Sequence, residues 1–226
     1  MRHPTHLAAE AALAALVMTA VTGCQGTPQA PPSELLRYGG MHETIGRQQH
    51  QGRVALAEVL DRPHLYGVGA VEGLRGEITI VDSAAVVAGV APDGSVERRP
   101  PAGVQATLLV GGSVPEWTDV AVEAAVAPED LDAWVGSAAE VAGLDPGEPF
   151  LFVAEGAVTD ARLHVINGAC PLHARMRKLT LAADERPFEL EAGALAGTVV
   201  GVYAAGSVGE LTHPATSVHA HLVWQE

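Results

Sequence analysis

The chain has 226 residues, with 27 acidic side chains against 13 Lys and Arg, giving a formal net charge of −14. At 48% hydrophobic and 18% charged residues it is too apolar for a disordered chain, and it is too acidic to bind nucleic acid by neutralising phosphates. Two cysteines cannot staple a disulfide-rich scaffold, and the length suits one domain with a full core.

Residues 2–6 contain Arg2, His3 and His6. The stretch from Ala8 to Val21 is rich in Ala, Leu and Val, broken by Glu10, and falls short of the roughly 20 residues a membrane span needs. It leads into Val21-Thr22-Gly23-Cys24. Small residues before a cysteine, after a short apolar run, resemble the bacterial lipoprotein signal. That resemblance implies cleavage before Cys24, lipid on its sulfur, and an exported, membrane-anchored protein. A cleaved secretory signal or a plain tail is the alternative. Residues 25–34 are Pro-rich and read as a linker. The expected organisation is a signal over 1–23, a lipidated Cys24 and linker over 24–40, and one folded domain over 41–226. Removing 1–23 takes away one Arg and one Glu, so the charge stays −14. Cys170 is then the remaining thiol, either buried and inert or a ligand or reactive group.

Residues 42–60 read as a mixed, partly helical opening segment. Strands are expected over 66–71, 77–81 and 84–90, with turns at Gly73–Gly76 and Pro92-Asp93-Gly94. Within 77–81, Glu77, Thr79 and Val81 share one face, and Ile78 and Ile80 the other. Residues 98–103 read as a loop and 105–110 as a strand. One clear helix is expected over 128–143: Pro128 suits a first turn, Glu129 and Asp130 suit the positive end of the helix dipole, and Gly143 and Pro146 stop it. Strands follow over 150–154, 161–166, 195–204 and 218–224. The scarcity of aromatics (4%) beside abundant Val, Ala and Gly fits the same picture, an α+β protein, mainly β, with one main helix.

Four places could carry chemistry. His219-Ala220-His221 lies on the last strand, where period 2 puts both imidazoles on one face and Val218, Ala220 and Leu222 on the other. Their Cα atoms are then roughly 6.5–7 Å apart, close enough for both side chains to reach one ion at about 2.1 Å. A polar, solvent-facing strand surface reads equally well. The run from Arg162 to His173 places Arg162 and His164 on one strand face and Cys170 and His173 in a following loop, a mixture that suits a soft divalent metal such as zinc or copper; a buried thiol beside surface histidines is the alternative. Glu77 opens an otherwise apolar strand, which is costly unless the carboxylate is paired or ligated. It could serve as a general acid or base, or pair at an edge with Arg75 or Arg53. His42, Glu43 and His50 read mainly as polar helix-face residues, and His213 sits in a loop close before the His-x-His strand.

Several blocks resemble, in order, those of α-acetolactate decarboxylase. Gly69-Ala70-Val71-Glu72-Gly73-Leu74-Arg75-Gly76-Glu77 and the strand running to Asp82 are similar to that family's Leu-x-Gly-Glu signature. Phe150-Leu151-Phe152-Val153-Ala154, Gly197-Thr198-Val199-Val200-Gly201-Val202 and Ser217-Val218-His219-Ala220-His221-Leu222-Val223 resemble three later blocks. The resemblance covers about 66–223. It implies that 41–226 has an acetolactate-decarboxylase-like α+β fold of mixed or antiparallel sheets, and that the activity is decarboxylation of 2-acetolactate or a related small hydroxy-keto acid to acetoin and CO2. It implies zinc, or another divalent transition metal, on His219 and His221, with Glu77 beside it as a ligand or proton-handling carboxylate.

The family's third histidine lies about ten residues past its His-x-His, whereas the sequence runs five residues past His221 to Glu226, so neither that histidine nor the family's catalytic glutamate in a C-terminal tail has a counterpart in it. The third ligand must then come from elsewhere, His164 first, with His173, Cys170 and His213 in reserve. The family's substrate-binding arginine aligns best with His164, leaving Arg162 two residues away for that role. A metal- or ligand-binding lipoprotein of the same fold, without turnover, is the other reading. The partners admitted are a small-molecule substrate or ligand, a membrane through the lipid on Cys24, and a second copy of the chain as a homodimer, but not nucleic acid.

Overall fold

Alternating Val, Ile and Thr form strands where period 2 is cleanest. β4 (Glu77–Val81) and β5 (Ala84–Val90) pair as a hairpin closing at Val81 and Ala84. Asp82 and Ser83 between them both take positive φ, 45° and 67°, the backbone that a two-residue turn needs to match the strand twist. A computed structural model describes residues 35–224. The signal over 1–23, Cys24 and most of the expected linker lie outside the described residues.

The larger sheet contains β1 (Leu36–Tyr38), β2 (Val54–Ala55), β3 (Leu65–Val71), β4, β5, β6 (Val96–Arg99) and β7 (Gln105–Ser113), in the order β1-β7-β3-β4-β5-β6, with β2 also on β7. The smaller sheet orders β10 (Val218–Trp224), β9 (Phe188–Tyr203) and β8 (Phe150–Val165). Every strand pairing is antiparallel. The helices are α1 (Leu56–Leu60), α2 (Leu131–Val141) and α3 (Pro171–Arg177). Among the described residues no helix is long and apolar enough to cross a membrane.

Side-chain alternation stacks these elements into layers. Leu56 and Val59 of α1 pack with Ile78, Ile80 and Leu109 on one face of the larger sheet. On its other face, Val68 and Val110 meet Val200 and Val202 of β9, so the sheets lie face to face. The far side of the smaller sheet is covered by α2, where Val135 packs with Phe152, Tyr203 and Val218. Gly201 leaves room for the Phe152 ring, which a Cβ at that position would strike.

Several boundaries differ from the sequence reading. The stretch assigned to linker through residue 40 already contains β1, paired to β7 from Leu36↔Gly111 to Tyr38↔Leu109. Residues 98–103 are not all loop, because Arg98 and Arg99 belong to edge strand β6, where charged side chains can point to water. The expected strands at 150–154 and 161–166 are one 16-residue strand. Asp160 bends it with φ 51°, but the ladder to β9 continues from Phe150↔Tyr203 to Val165↔Phe188. Cys170 and His173 do not lie in a loop: Cys170 precedes α3, which Pro171 opens, and His173 is on that helix. The helix over 128–143 is a 3₁₀ turn over Pro128–Asp130 followed by α2.

Ile78 is fully buried on the face opposite Glu77. Ile78→Ala is expected to lower stability by about 2–5 kcal/mol, read as a reduced urea midpoint, while the residues on the other face of β4 keep their arrangement. A midpoint unchanged within error would contradict this account of the core.

Candidate active site

The space between the sheets opens beside their packed centre into a cavity of about 870 Å³. Glu77 and Thr79 enter it from β4, His219 and His221 from β10, His164 from β8, and His213 from the loop before β10. Strand period explains the first four. His219 and His221 pair directly with Val202 and Val200, which face the larger sheet, while Val218 and Ala220 pack on the α2 side. Gly76, with φ 141°, sets the start of β4, since a Cβ there would collide with the Ala88 carbonyl oxygen.

His221 ties the two sheets together. Its Nδ1 lies 3.1 Å from the Ile78 carbonyl oxygen and 3.1 Å from Thr79 Oγ1. A carbonyl only accepts, so Nδ1 carries the proton and donates it, which leaves Nε2 with a free lone pair. That Nε2 is 3.6 Å from Glu77 Oε2. The pair is not an ion pair at neutral pH: burial pushes the Glu77 carboxyl up to about 8 and the His221 imidazole down to about 4. Both are neutral at pH 7. Among the described residues Glu77 accepts one hydrogen bond, a long one, 3.4 Å from the Ile166 N–H.

The other imidazoles gather around this pair. The ring centres of His219 and His221 are 5.0 Å apart, and those of His213 and His219 are 5.7 Å apart. Burial, reinforced by the neighbouring imidazoles, holds His219 well below the usual range, and burial with His164 nearby brings His213 down to about 4. His164 is lowered by burial and then by the Arg175 guanidinium. His219 Nδ1 is buried with no hydrogen-bond partner. Neutral imidazoles with free ring nitrogens are the donors a zinc-class ion takes, and a ring whose other nitrogen donates to a carbonyl is the usual supported ligand. The donor chemistry therefore fits such an ion. The spacing is looser: among the described residues no three His, Cys, Asp or Glu side chains are gathered as a ready coordination group.

The remaining sequence candidates divide. Cys170 lines the cavity as a buried thiol that burial pushes up, away from the thiolate form. His173 does not line it, and neither do His42, Glu43 or His50. Glu43 pairs with Arg53 at 3.0 Å. Glu77 pairs with neither arginine proposed for it: Arg53 is taken by Glu43, and Arg75 bonds Asn167 and the Asp184 carbonyl. Arg162 reaches the cavity edge, but its guanidinium bonds Glu191 at 2.6 and 3.1 Å, with both side chains largely exposed.

Two supporting residues were not singled out by the sequence. Thr79 shares the Glu77 face by period 2, and that was the available signal for its contact with His221. Asp132 of α2 accepts hydrogen bonds from the Thr216 hydroxyl (2.9 Å) and the Ser217 N–H (2.5 Å), fixing the turn that launches β10. No local pattern links residues 85 positions apart.

The fold and site define a class, a two-sheet α+β protein with histidines and a buried carboxyl facing one another across the sheets. Its fold is that of the α-acetolactate decarboxylases. The chain is similar in structure to α-acetolactate decarboxylase from Bacillus subtilis strain 168, with TM-score 0.62 and 16% identity over 84% of this chain and 75% of that one. It is similar to acetolactate decarboxylase from Bacillus subtilis subspecies spizizenii (TM-score 0.59, 14% identity, 84% and 76% covered). A Staphylococcus aureus protein of unknown function similar to α-acetolactate decarboxylase also matches (TM-score 0.53, 12% identity, 84% and 75% covered). No family profile and no curated protein matches the sequence.

The buried carboxyl gives a signed pH dependence for the metal-free protein. Between pH 6.5 and about 8 the unfolded chain has lost the Glu77 proton while the folded one keeps it, so stability falls as pH rises. The depressed histidines, His164, His213, His219 and His221, act the other way, and in the unfolded chain they are still losing protons just above 6.5, so the Glu77 contribution is read as the difference between the wild type and Glu77→Gln. From pH 6.5 to 8 the wild type is expected to lose up to about 2 kcal/mol relative to that variant, measured by urea unfolding. The same pH dependence in both proteins would refute the assignment.

Proposed function

We propose that the chain is a metal-dependent carbon–carbon lyase for a 2-hydroxy-3-keto acid, of the kind that converts 2-acetolactate to acetoin and CO2. The observation that carries this reading is the meeting of His219, His221 and Glu77 in one cavity on a fold shared with acetolactate decarboxylases. His219 and His221 would hold a zinc-class ion, with His213 or His164 completing the set. When bound, that ion supplies Lewis acidity toward the substrate's hydroxyl and keto oxygens.

The chain's own residues do the rest. Ile78 and Thr79 hold the His221 ring so that Nε2 stays unprotonated. The largely apolar walls give a substrate carboxylate little solvation, whereas departing CO2 is uncharged, which favours the forward direction. In the metal-free cavity burial pushes the Glu77 carboxyl up to about 8, so the group is disposed to hold a proton there. As the bond to CO2 breaks, its electron pair stays on the substrate; the Glu77 carboxyl gives its proton to that carbon and is reprotonated from solvent.

Binding without turnover is the second reading, favoured by the looseness of the donor group and by the engagement of Arg162 with Glu191. We also propose export and membrane attachment through Cys24, on the strength of the Val21-Thr22-Gly23-Cys24 pattern after an apolar run.

Zinc-supplemented protein incubated with 2-acetolactate is expected to release CO2 and acetoin above the buffer rate. Glu77→Gln should keep its zinc and lose about 10²–10⁴ in rate. His219→Ala and His221→Ala should each lose zinc by elemental analysis while staying folded by circular dichroism. Bound zinc with no product leaves the binding reading alone, and unchanged zinc in both histidine variants would overturn the site.

A further inference from the structure

The cavity is far larger than the smallest substrate of the proposed reaction requires. A five-carbon hydroxy-keto acid has about nine non-hydrogen atoms; allowing each the ~30 Å³ share of a water molecule, it would occupy about a third of the 870 Å³. Part of the excess runs along the inner face of the larger sheet from β4 to Val86 on β5 and Val96 on β6, the successive strands toward that edge. Across from them the last strand continues from His221 to Val223, about 7 Å of chain. The Trp224 carbonyl accepts a 2.7 Å hydrogen bond from the exposed Arg98 of β6, which links the two sheets at the outer end of this arm. Val86, Val96 and Val223 give the arm apolar walls between the polar cluster at one end and Ser95 and Arg98 at the other.

We propose that the site takes a hydroxy-keto acid bearing a medium-length alkyl chain, with its oxygens at the histidines and Glu77 and its tail lying between Val86, Val96 and Val223. This rests on the reading of the polar cluster given above, and extends it to substrate class. Each methylene buried against such walls tightens binding about three- to fourfold, until the chain reaches Ser95 and Arg98.

The test separates binding from chemistry. 2,3-Dihydroxy-2-methyl acids, which cannot decarboxylate by the same route, are titrated into zinc-supplemented protein by calorimetry, with tails from one to about seven carbons. The dissociation constant is expected to fall about threefold or more per added methylene over the first several and then to level off. Val96→Trp, which fills the arm at an edge strand, should flatten the series. A wild-type series that is flat, that weakens with length, or that shows no binding at any length overturns the proposal. Turnover of the corresponding keto acids is measured separately. A rising series without turnover supports this inference and sinks the lyase reading; turnover of the five-carbon acid with rejection of longer ones does the reverse.

Discussion

The two sheets meet through a core that includes Val68 and Val110 on one side and Leu151, Val200 and Val202 on the other, and the facing of Glu77, His219 and His221 follows from that contact. Because β10 is hydrogen-bonded beside β9, the packing of Val200 and Val202 determines which face of β10 looks inward. His221 and His219 are their cross-strand neighbours and must look inward too. The hydrogen bond from His221 to the Ile78 carbonyl then crosses the gap. A core contact with no chemistry of its own thus sets the distance between a carboxyl and two imidazoles far apart in sequence.

Burial explains why this group stays uncharged. A carboxyl and several imidazoles in water would carry mixed charges near neutral pH. Enclosed together, with neighbouring imidazoles discouraging one another's protonation, they settle into neutral forms. An acid holding its proton and bases without theirs is an arrangement suited to giving up one proton and accepting a cation. Paired charges in the same cavity would be suited to neither.

The parts of the molecule legible in the sequence were those governed by period 2. β4, β5 and β10 have the bounds expected of them, and the faces assigned to Glu77, Ile78, His219 and Ala220 are the observed ones. The ordered blocks from Gly69 to Val223 also pointed to the fold. What could not be read were features whose cause is distant. β8 looked interrupted because its middle is polar and glycine-containing, yet pairing with β9 carries it through. β6 looked like a loop because its charged residues are acceptable at an edge. His213 reads as an ordinary loop histidine until the turn fixed by Asp132 sets its ring against His219. Arg162 has the residue type for an anion site, but Glu191 directly across the ladder claims it.

The composition of β6 has a consequence for the molecule's behaviour in a crowd. Its outer rim carries Glu97, Arg98 and Arg99, with Arg99 and Glu97 paired at 2.6 Å. A neighbouring molecule trying to add a strand there would have to strip water from these charged groups to reach the main-chain hydrogen-bonding row. The rim thereby disfavours strand-by-strand extension of the larger sheet at this edge.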